Sequence, residues 1–161
     1  MQKQFNVIGY GSLISHNSIK KDIQNKHFKP VIVEGYRRIF NLAGKKSDYL
    51  NVIQSKKDKF NGVMFKVTEK EIIKLKEREI EYNLEPAQAY DFKTKKPLEK
   101  CFVFTDPFIS IDHSKLNPNK HYLELCREAA YHISKEFGIF WDNTTFTANG
   151  KKISEVLPPI S

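Results

Sequence analysis

The sequence predicts a mixed α+β fold, and two observations support that class. Segments rich in β-branched and aromatic residues outnumber the helical segments, and they follow one another in adjacent pairs. The strongest helical segment is a single long stretch, His121 to Phe137, with Leu123, Cys126, Ala130 and Ile133 at helical spacing. Paired strands with few helices fit a mixed α+β fold better than a regular βαβ repeat.

The strand candidates begin with Phe5 to Gly9, a short apolar run that ends in glycine. Pro30 to Leu42 reads as one long strand that bends at Gly35, where the missing side chain permits a bulge. Ala87 to Phe92 and Lys100 to Phe104 form another candidate pair, with a charged turn between them.

A further pair of strands is predicted in the middle of the chain, at Tyr49 to Gln54 and at Gly62 to Val67. The segment between them, Ser55 to Asn61, is polar and rich in lysine. That composition is typical of a turn, so we expect the two strands to form a hairpin.

Local signals also set the ends of the helices. Thr68 is a good N-cap for a helix that fades near Arg78 and Glu79. Gly138 follows the long helix His121 to Phe137 and is expected to end it as a C-cap.

Length and composition indicate one domain spanning residues 1–161. The 161 residues suffice to bury a core, and 40% of them are hydrophobic. Cys101 and Cys126 are too few and too isolated for a disulfide scaffold or a metal cluster. The N-terminus has no signal-peptide pattern, and no apolar run is long enough to cross a bilayer. We therefore expect a cytoplasmic protein without a membrane partner.

The formal charge of +8 comes from 27 Lys and Arg against 19 Asp and Glu. Lysine occurs in short pairs scattered along the chain, among them Lys20-Lys21, Lys56-Lys57 and Lys95-Lys96. Scattered pairs are typical of a solvated surface, whereas a nucleic-acid interface gathers its basic residues on one face. We therefore expect no nucleic-acid partner, and binding in a gel shift at low salt would contradict this.

The stretch Val7-Ile8-Gly9-Tyr10-Gly11-Ser12-Leu13-Ile14 carries the first chemical signal. Alternate glycines let another molecule approach the main chain, and successive N–H groups ahead of a helix can hold a carboxylate, phosphate or oxyanion. An ordinary strand-to-helix turn with nothing bound is the alternative. A dinucleotide site is excluded because its third glycine is replaced by Ile14, and a P-loop because its Gly-Lys-Ser/Thr ending is missing.

Glu79 carries the second signal. The histidines show no metal-ligand spacing, and no serine lies in a nucleophile elbow. A carboxylate at the last turn of a rigid helix, by contrast, is well placed to act as a general base. The alternative is a helix-end glutamate that pairs with Arg78 or a neighbouring lysine, and composition alone does not choose between the two.

Four segments, taken together, resemble the gamma-glutamylcyclotransferase-like superfamily, and its ChaC-type and bacterial members most. They are Gly9-Tyr10-Gly11-Ser12-Leu13, Val33-Glu34-Gly35-Tyr36-Arg37-Arg38-Ile39-Phe40-Asn41, Gly62-Val63-Met64-Phe65-Lys66-Val67 leading into Leu75-Lys76-Glu77-Arg78-Glu79, and Pro118 to Ala130. They occur in the family's order and spacing from about Phe5 to Ala130.

The resemblance implies a small, partly open β-barrel of mixed strands flanked by helices. It implies an enzyme that cyclises the gamma-glutamyl moiety of a peptide or amine to 5-oxoproline and releases the amine, without a metal or other cofactor. Glu79 would be the catalytic acid/base, and Tyr122 would approach the pocket. The amides that hold the gamma-glutamyl substrate would belong to Tyr10, Gly11, Ser12 and Leu13.

Two departures from the family's pattern leave a second function open. Relatives commonly have aspartate where this chain has Lys76, and they have a glycine-containing turn and a tyrosine where this chain has Ile80 to Pro86. A non-catalytic small-molecule or protein-binding module on the same fold is therefore the alternative. The sequence indicates neither an oligomeric state nor the identity of the leaving amine.

Overall fold

The computed structural model describes residues 3–11, 28–40, 50–78, 83–105 and 120–160. The strands are β1 (Gln4–Gly9), β2 (Lys29–Phe40), β3 (Leu50–Thr68), β4 (Asn83–Asp91), β5 (Cys101–Thr105) and β6 (Thr145–Phe146). The helices are α1 (Glu69–Arg78), α2 (Lys120–Ile133), α3 (Lys135–Asn143) and α4 (Ile153–Val156).

The strands form one mixed sheet whose hydrogen bonds close into a ring. The order is β3-β1-β5-β4-β2-β6, and β2 also pairs with β3. β1 with β5 and β2 with β6 are parallel pairs, and the other pairs are antiparallel. With helices beside the ring, the architecture confirms the predicted α+β class, although the ring is less regular than a true barrel.

The bend predicted in β2 is confirmed at Gly35, which has a φ of 89°. Residues 29–34 pair with residues 59–64 of β3, and residues 36–40 pair with residues 50–54. The register therefore shifts at Gly35, the one position of β2 that lacks a Cβ to resist a positive φ.

The hairpin predicted for Ser55 to Asn61 is wrong. β3 runs as one strand from Leu50 to Thr68, and residues 55–58 bulge from it opposite the bend in β2. Asp58 closes the bulge, since its Oδ2 accepts hydrogen bonds from Ser55 Oγ at 2.5 Å and from Arg37 Nε at 2.8 Å. A hairpin does not form because β2 offers one continuous partner to both halves of β3.

α1 begins as predicted. Thr68 Oγ1 accepts a hydrogen bond from the Glu71 amide at 3.3 Å, and the Thr68 amide donates to Glu71 Oε1 at 2.9 Å. This reciprocal capping box fixes the start of the helix. The described part of the helix runs to Arg78, and the end predicted near Arg78 and Glu79 lies at the limit of the described residues.

The long helix predicted for His121 to Phe137 is two helices, α2 and α3. The chain breaks at Ser134, whose Oγ accepts a hydrogen bond from the Phe137 amide at 3.0 Å and caps α3. Gly138 lies inside α3 and is not a C-cap. A Cβ at Gly138 would lie 2.3 Å from the Tyr131 ring, so the glycine allows the two helices to pack closely.

The main core lies inside the ring and under α2 and α3. Its fully buried aromatic members are Phe40, Phe60, Phe137 and Trp141, none of which has more than 2% of its surface exposed. Within the described residues, no helix has both the length and the apolar character needed to span a membrane.

Candidate active site

β1 carries two of the predicted site residues, Tyr10 and Gly11, to its end, where both are buried. The Tyr10 hydroxyl group donates a hydrogen bond to the Phe104 carbonyl oxygen at 2.6 Å. The Tyr10 ring packs edge-on against Phe60, with 5.7 Å between the ring centroids. The Tyr10 side chain therefore anchors the chain just after β1 in the core.

Gly11 and Tyr122, far apart in sequence, are neighbours in the structure. A Cβ added at Gly11 would lie 2.7 Å from the Tyr122 hydroxyl oxygen and 3.3 Å from Leu50 Cδ1. Both distances are shorter than ordinary van der Waals contact, so glycine is the residue that fits. Gly11 and Tyr122, both predicted to bind the substrate, are therefore in contact.

The remaining predicted site residues, Ser12, Leu13 and Glu79, lie outside the described residues, and their roles stay predictions. Glu79 is the residue after Arg78, the last described residue of α1.

Tyr122 and Cys126 lie one turn apart on α2, and Tyr122 packs edge-on against Phe40 with 6.3 Å between ring centroids. Burial raises the pKa of the Cys126 thiol to about 12, and a hydrogen bond with Tyr122 and the charge of Arg38 lower it by less. Near neutral pH the thiol is protonated, so Cys126 is a poor nucleophile.

Arg38 is not among the predicted site residues, and it is completely buried next to Tyr10. Its Nη1 donates to the Tyr10 carbonyl oxygen at 3.3 Å and also to the Asn61 carbonyl oxygen. Its other donors bind the side-chain oxygen of Asn61 (2.8 Å) and Thr145 Oγ1 (2.7 Å). Contacts with the Trp141 carbonyl oxygen (3.3 Å) and Thr144 Oγ1 (3.0 Å) complete its hydrogen bonds.

Burial lowers the pKa of Arg38 to about 9, and the nearby groups Cys126, Asp142, Tyr10 and Tyr122 act in the opposite direction. Arg38 is therefore still charged near neutral pH. Its guanidinium carbon lies 4.8 Å from the centroid of the Trp141 ring, which favours a cation there.

The alternation of side chains along β2 is the sequence signal that indicates a buried position for Arg38. It shares a face of β2 with Tyr36 and Phe40, which belong to the core. Arg37 points the other way, pairs with Asp58 and keeps a quarter of its side chain exposed. Only one arginine of the pair can therefore be a surface residue.

A groove of about 570 Å³ lies elsewhere, between α2, α4 and the C-terminal tail. Leu123, Ile153 and Leu157 form part of its apolar wall, and none of Tyr10, Gly11 and Tyr122 lines it. Among the residues that the structure describes, no cluster of three or more potential metal-ligating side chains occurs.

No protein-family model and no curated protein matches the chain. Solved structures do match. A gamma-glutamyl cyclotransferase structure has a TM-score of 0.72 at 15% identity and covers 85% of both chains. The uncharacterized human protein loc79017 has a TM-score of 0.72 at 15% identity and covers 86% of both.

A further match is an AIG2-like protein from Mus musculus. It has a TM-score of 0.56 at 16% identity and covers 73% of this chain and 86% of its own. These matches agree with the ring-like mixed sheet and its flanking helices. The chain therefore has the gamma-glutamyl cyclotransferase fold.

Proposed function

We propose that the protein is a gamma-glutamylcyclotransferase-type enzyme that releases an amine from a gamma-glutamyl peptide or amine and forms 5-oxoproline. One observation carries the proposal: Gly11 packs beneath the Tyr122 hydroxyl group at the end of β1, in a chain with the fold of a gamma-glutamyl cyclotransferase structure. Two residues predicted to share a substrate site are thus adjacent, although they lie on different elements.

In the proposed reaction the main-chain amides of the loop from Tyr10 to Leu13 hold the α-carboxylate or the γ-carbonyl oxygen of the substrate. Glu79 takes a proton from the α-ammonium group. The freed amine attacks the γ-carbonyl carbon, and a C–N bond forms that closes a five-membered ring. The bond to the leaving nitrogen then breaks, and Glu79 returns the proton to that nitrogen. The ring nitrogen gives up its second proton as it becomes an amide, and Glu79 passes that proton to the departing amine, which leaves as an ammonium ion.

The proposed chemistry needs few protein groups because the nucleophile belongs to the substrate. Holding the amine against its own carbonyl supplies much of the rate, since the two reacting groups are already joined. A positioned base adds roughly 10²–10⁴-fold. The protonated Cys126 thiol is not required in this scheme.

The experiment is to incubate the purified protein with glutathione, gamma-glutamyl dipeptides and gamma-glutamyl amines and to measure 5-oxoproline by mass spectrometry. Glu79→Gln keeps the size of the side chain and removes the base, so we expect turnover to fall about 100-fold. Glu77→Gln is the matched control, because Glu77 is an exposed glutamate of the same helix. It should keep wild-type turnover.

Two results would contradict parts of the proposal. Full activity of Glu79→Gln would remove Glu79 from the mechanism and leave the reaction standing. Absence of 5-oxoproline with every donor would overturn the enzymatic function. A thermal shift with the same ligands but no turnover would instead favour the binding module that Lys76 and the altered turn suggest.

A further inference from the structure

We propose that Arg38 is a positioning residue that fixes the peptide between Tyr10 and Gly11 and makes the Gly11 amide prefer an anionic ligand group, the α-carboxylate of the substrate. This inference rests on the proposed function, because it concerns how the same loop selects its ligand.

The first step is the direction of the peptide. Arg38 Nη1 donates to the Tyr10 carbonyl oxygen at 3.3 Å, and the peptide that follows is trans. The N–H of Gly11 belongs to the same peptide group, so it points away from the guanidinium group. A donor on the carbonyl side also polarises the peptide and strengthens its N–H as a donor.

The second step is rigidity. The other donors of Arg38 are held by β3, α3 and the start of β6, through Asn61, Trp141, Thr144 and Thr145. The guanidinium group therefore has little freedom to follow a displaced loop. It holds the Tyr10 carbonyl oxygen in place, and the Gly11 amide is aimed as a result.

The third step is charge. Every hydrogen-bond acceptor that the structure gives Arg38 is a neutral oxygen atom. Asp142, which acts on Arg38 through space, is itself bound to Arg127 at 2.7 and 2.8 Å and to the Tyr131 hydroxyl group at 2.6 Å. Within the described part of the chain, Arg38 is thus a buried cation whose hydrogen bonds all go to neutral oxygens, and such a cation raises the local potential and favours an anion nearby.

The test is a ligand pair that differs by one charge. Binding of 5-oxoproline, a carboxylate, and of its neutral primary amide is measured by calorimetry for each variant. We expect the wild type to bind the carboxylate more tightly than the amide. In Arg38→Met the ratio of the two dissociation constants should fall about tenfold. Arg37→Met is the matched control, since it removes the adjacent arginine on the opposite face, and it should keep the preference.

Asn61→Asp provides a second variant, because Arg38→Met disrupts a fully buried network and can prevent folding. Asn61 Oδ1 lies 2.8 Å from Arg38 Nη2, so the substitution sets a carboxylate on the guanidinium group and keeps the acceptor. We expect the carboxylate preference to fall here as well. Circular dichroism establishes that each variant is folded.

A folded variant of either kind with the wild-type preference would overturn the role of Arg38, as would a wild type that binds both ligands equally. A measurement of turnover distinguishes failure of this inference from failure of the proposed function. A wild type that makes 5-oxoproline while the variants keep its ligand preference refutes this inference alone, whereas a wild type without turnover refutes the proposed function.

Discussion

The hydroxyl oxygen of Tyr122 occupies the space that a Cβ of residue 11 would need, because the two positions are 2.7 Å apart. The segment that follows β1 and the start of α2 therefore pack closely at this point because residue 11 has no side chain. Any change at this contact has to move the loop, the tyrosine or both.

The first prediction concerns this contact. Gly11→Ala should destabilise the fold by about 1–3 kcal/mol, because the added methyl group forces the Tyr122 ring out of its packing. Tyr122→Phe removes the hydroxyl oxygen, so the double variant Gly11→Ala with Tyr122→Phe should recover part of the stability that Gly11→Ala loses. Urea unfolding of both single variants and the double variant measures the coupling, and an equal cost of Gly11→Ala in both backgrounds would contradict the contact.

The second prediction concerns the buried ion pair of Arg127 and Asp142, whose side chains join through two hydrogen bonds of 2.7 and 2.8 Å. Asp142→Asn leaves a buried cation with a neutral partner, so we expect a loss of about 3–5 kcal/mol in the free energy of unfolding. Removing both charges, with Arg127→Met and Asp142→Leu together, should cost less. A double variant that is less stable than Asp142→Asn would refute this view.

The third prediction concerns the two buried thiols. Burial raises the pKa of Cys101 to about 11, and burial likewise raises that of Cys126 to about 12, from an ordinary value of 9.0. At pH 8 neither should react with a thiol reagent in the folded protein, and both should react in the unfolded chain. A labelled native protein would contradict the prediction.

The raised pKa of Cys126 also makes the stability of the fold depend on pH, and the direction of that dependence follows from the shift. Between pH 9 and about 12 the unfolded chain has lost the Cys126 proton that the folded chain still holds. Stability from this group is therefore fully present below pH 9 and is lost as the pH rises through that window. Cys126→Ala should show a shallower loss over that range, measured as the midpoint of urea unfolding at each pH.

Much of the fold follows from local sequence pattern. The apolar run from Phe5 and the cap at Thr68 carry their signals within a few residues, and both elements form where predicted. The polar segment after Gln54 is different, because the same residues suit a hairpin or a bulge. The partner strand decides between them, and that partner is elsewhere in the sequence.

The helix break at Ser134 was missed for a related reason. The apolar stripe continues through it, and only the side-chain cap on Phe137 marks a new start. The prediction that Gly138 is a C-cap is wrong because the role of this glycine depends on its contact with the Tyr131 ring. That contact joins two helices, whereas the apolar pattern predicts a single one.

Arginine side chains are seldom fully buried, so residue type alone predicts a surface position for Arg38. Its burial becomes possible through oxygens from Asn61, Thr144 and Thr145, which only the tertiary structure brings together. The meeting of Gly11 with Tyr122 was expected from family resemblance, since no spacing rule links residues on β1 and α2.

The shell of Arg38 also has a consequence for when the loop takes its final form during synthesis. Thr145 lies 107 positions beyond Arg38 in the chain, and the Tyr10 carbonyl oxygen lies 28 before it. In a nascent chain the guanidinium group therefore stays hydrated until α3 and β6 have left the ribosome and supply its protein partners. Tyr10 and Gly11 are translated early, but the contacts that fix their position form only late in synthesis.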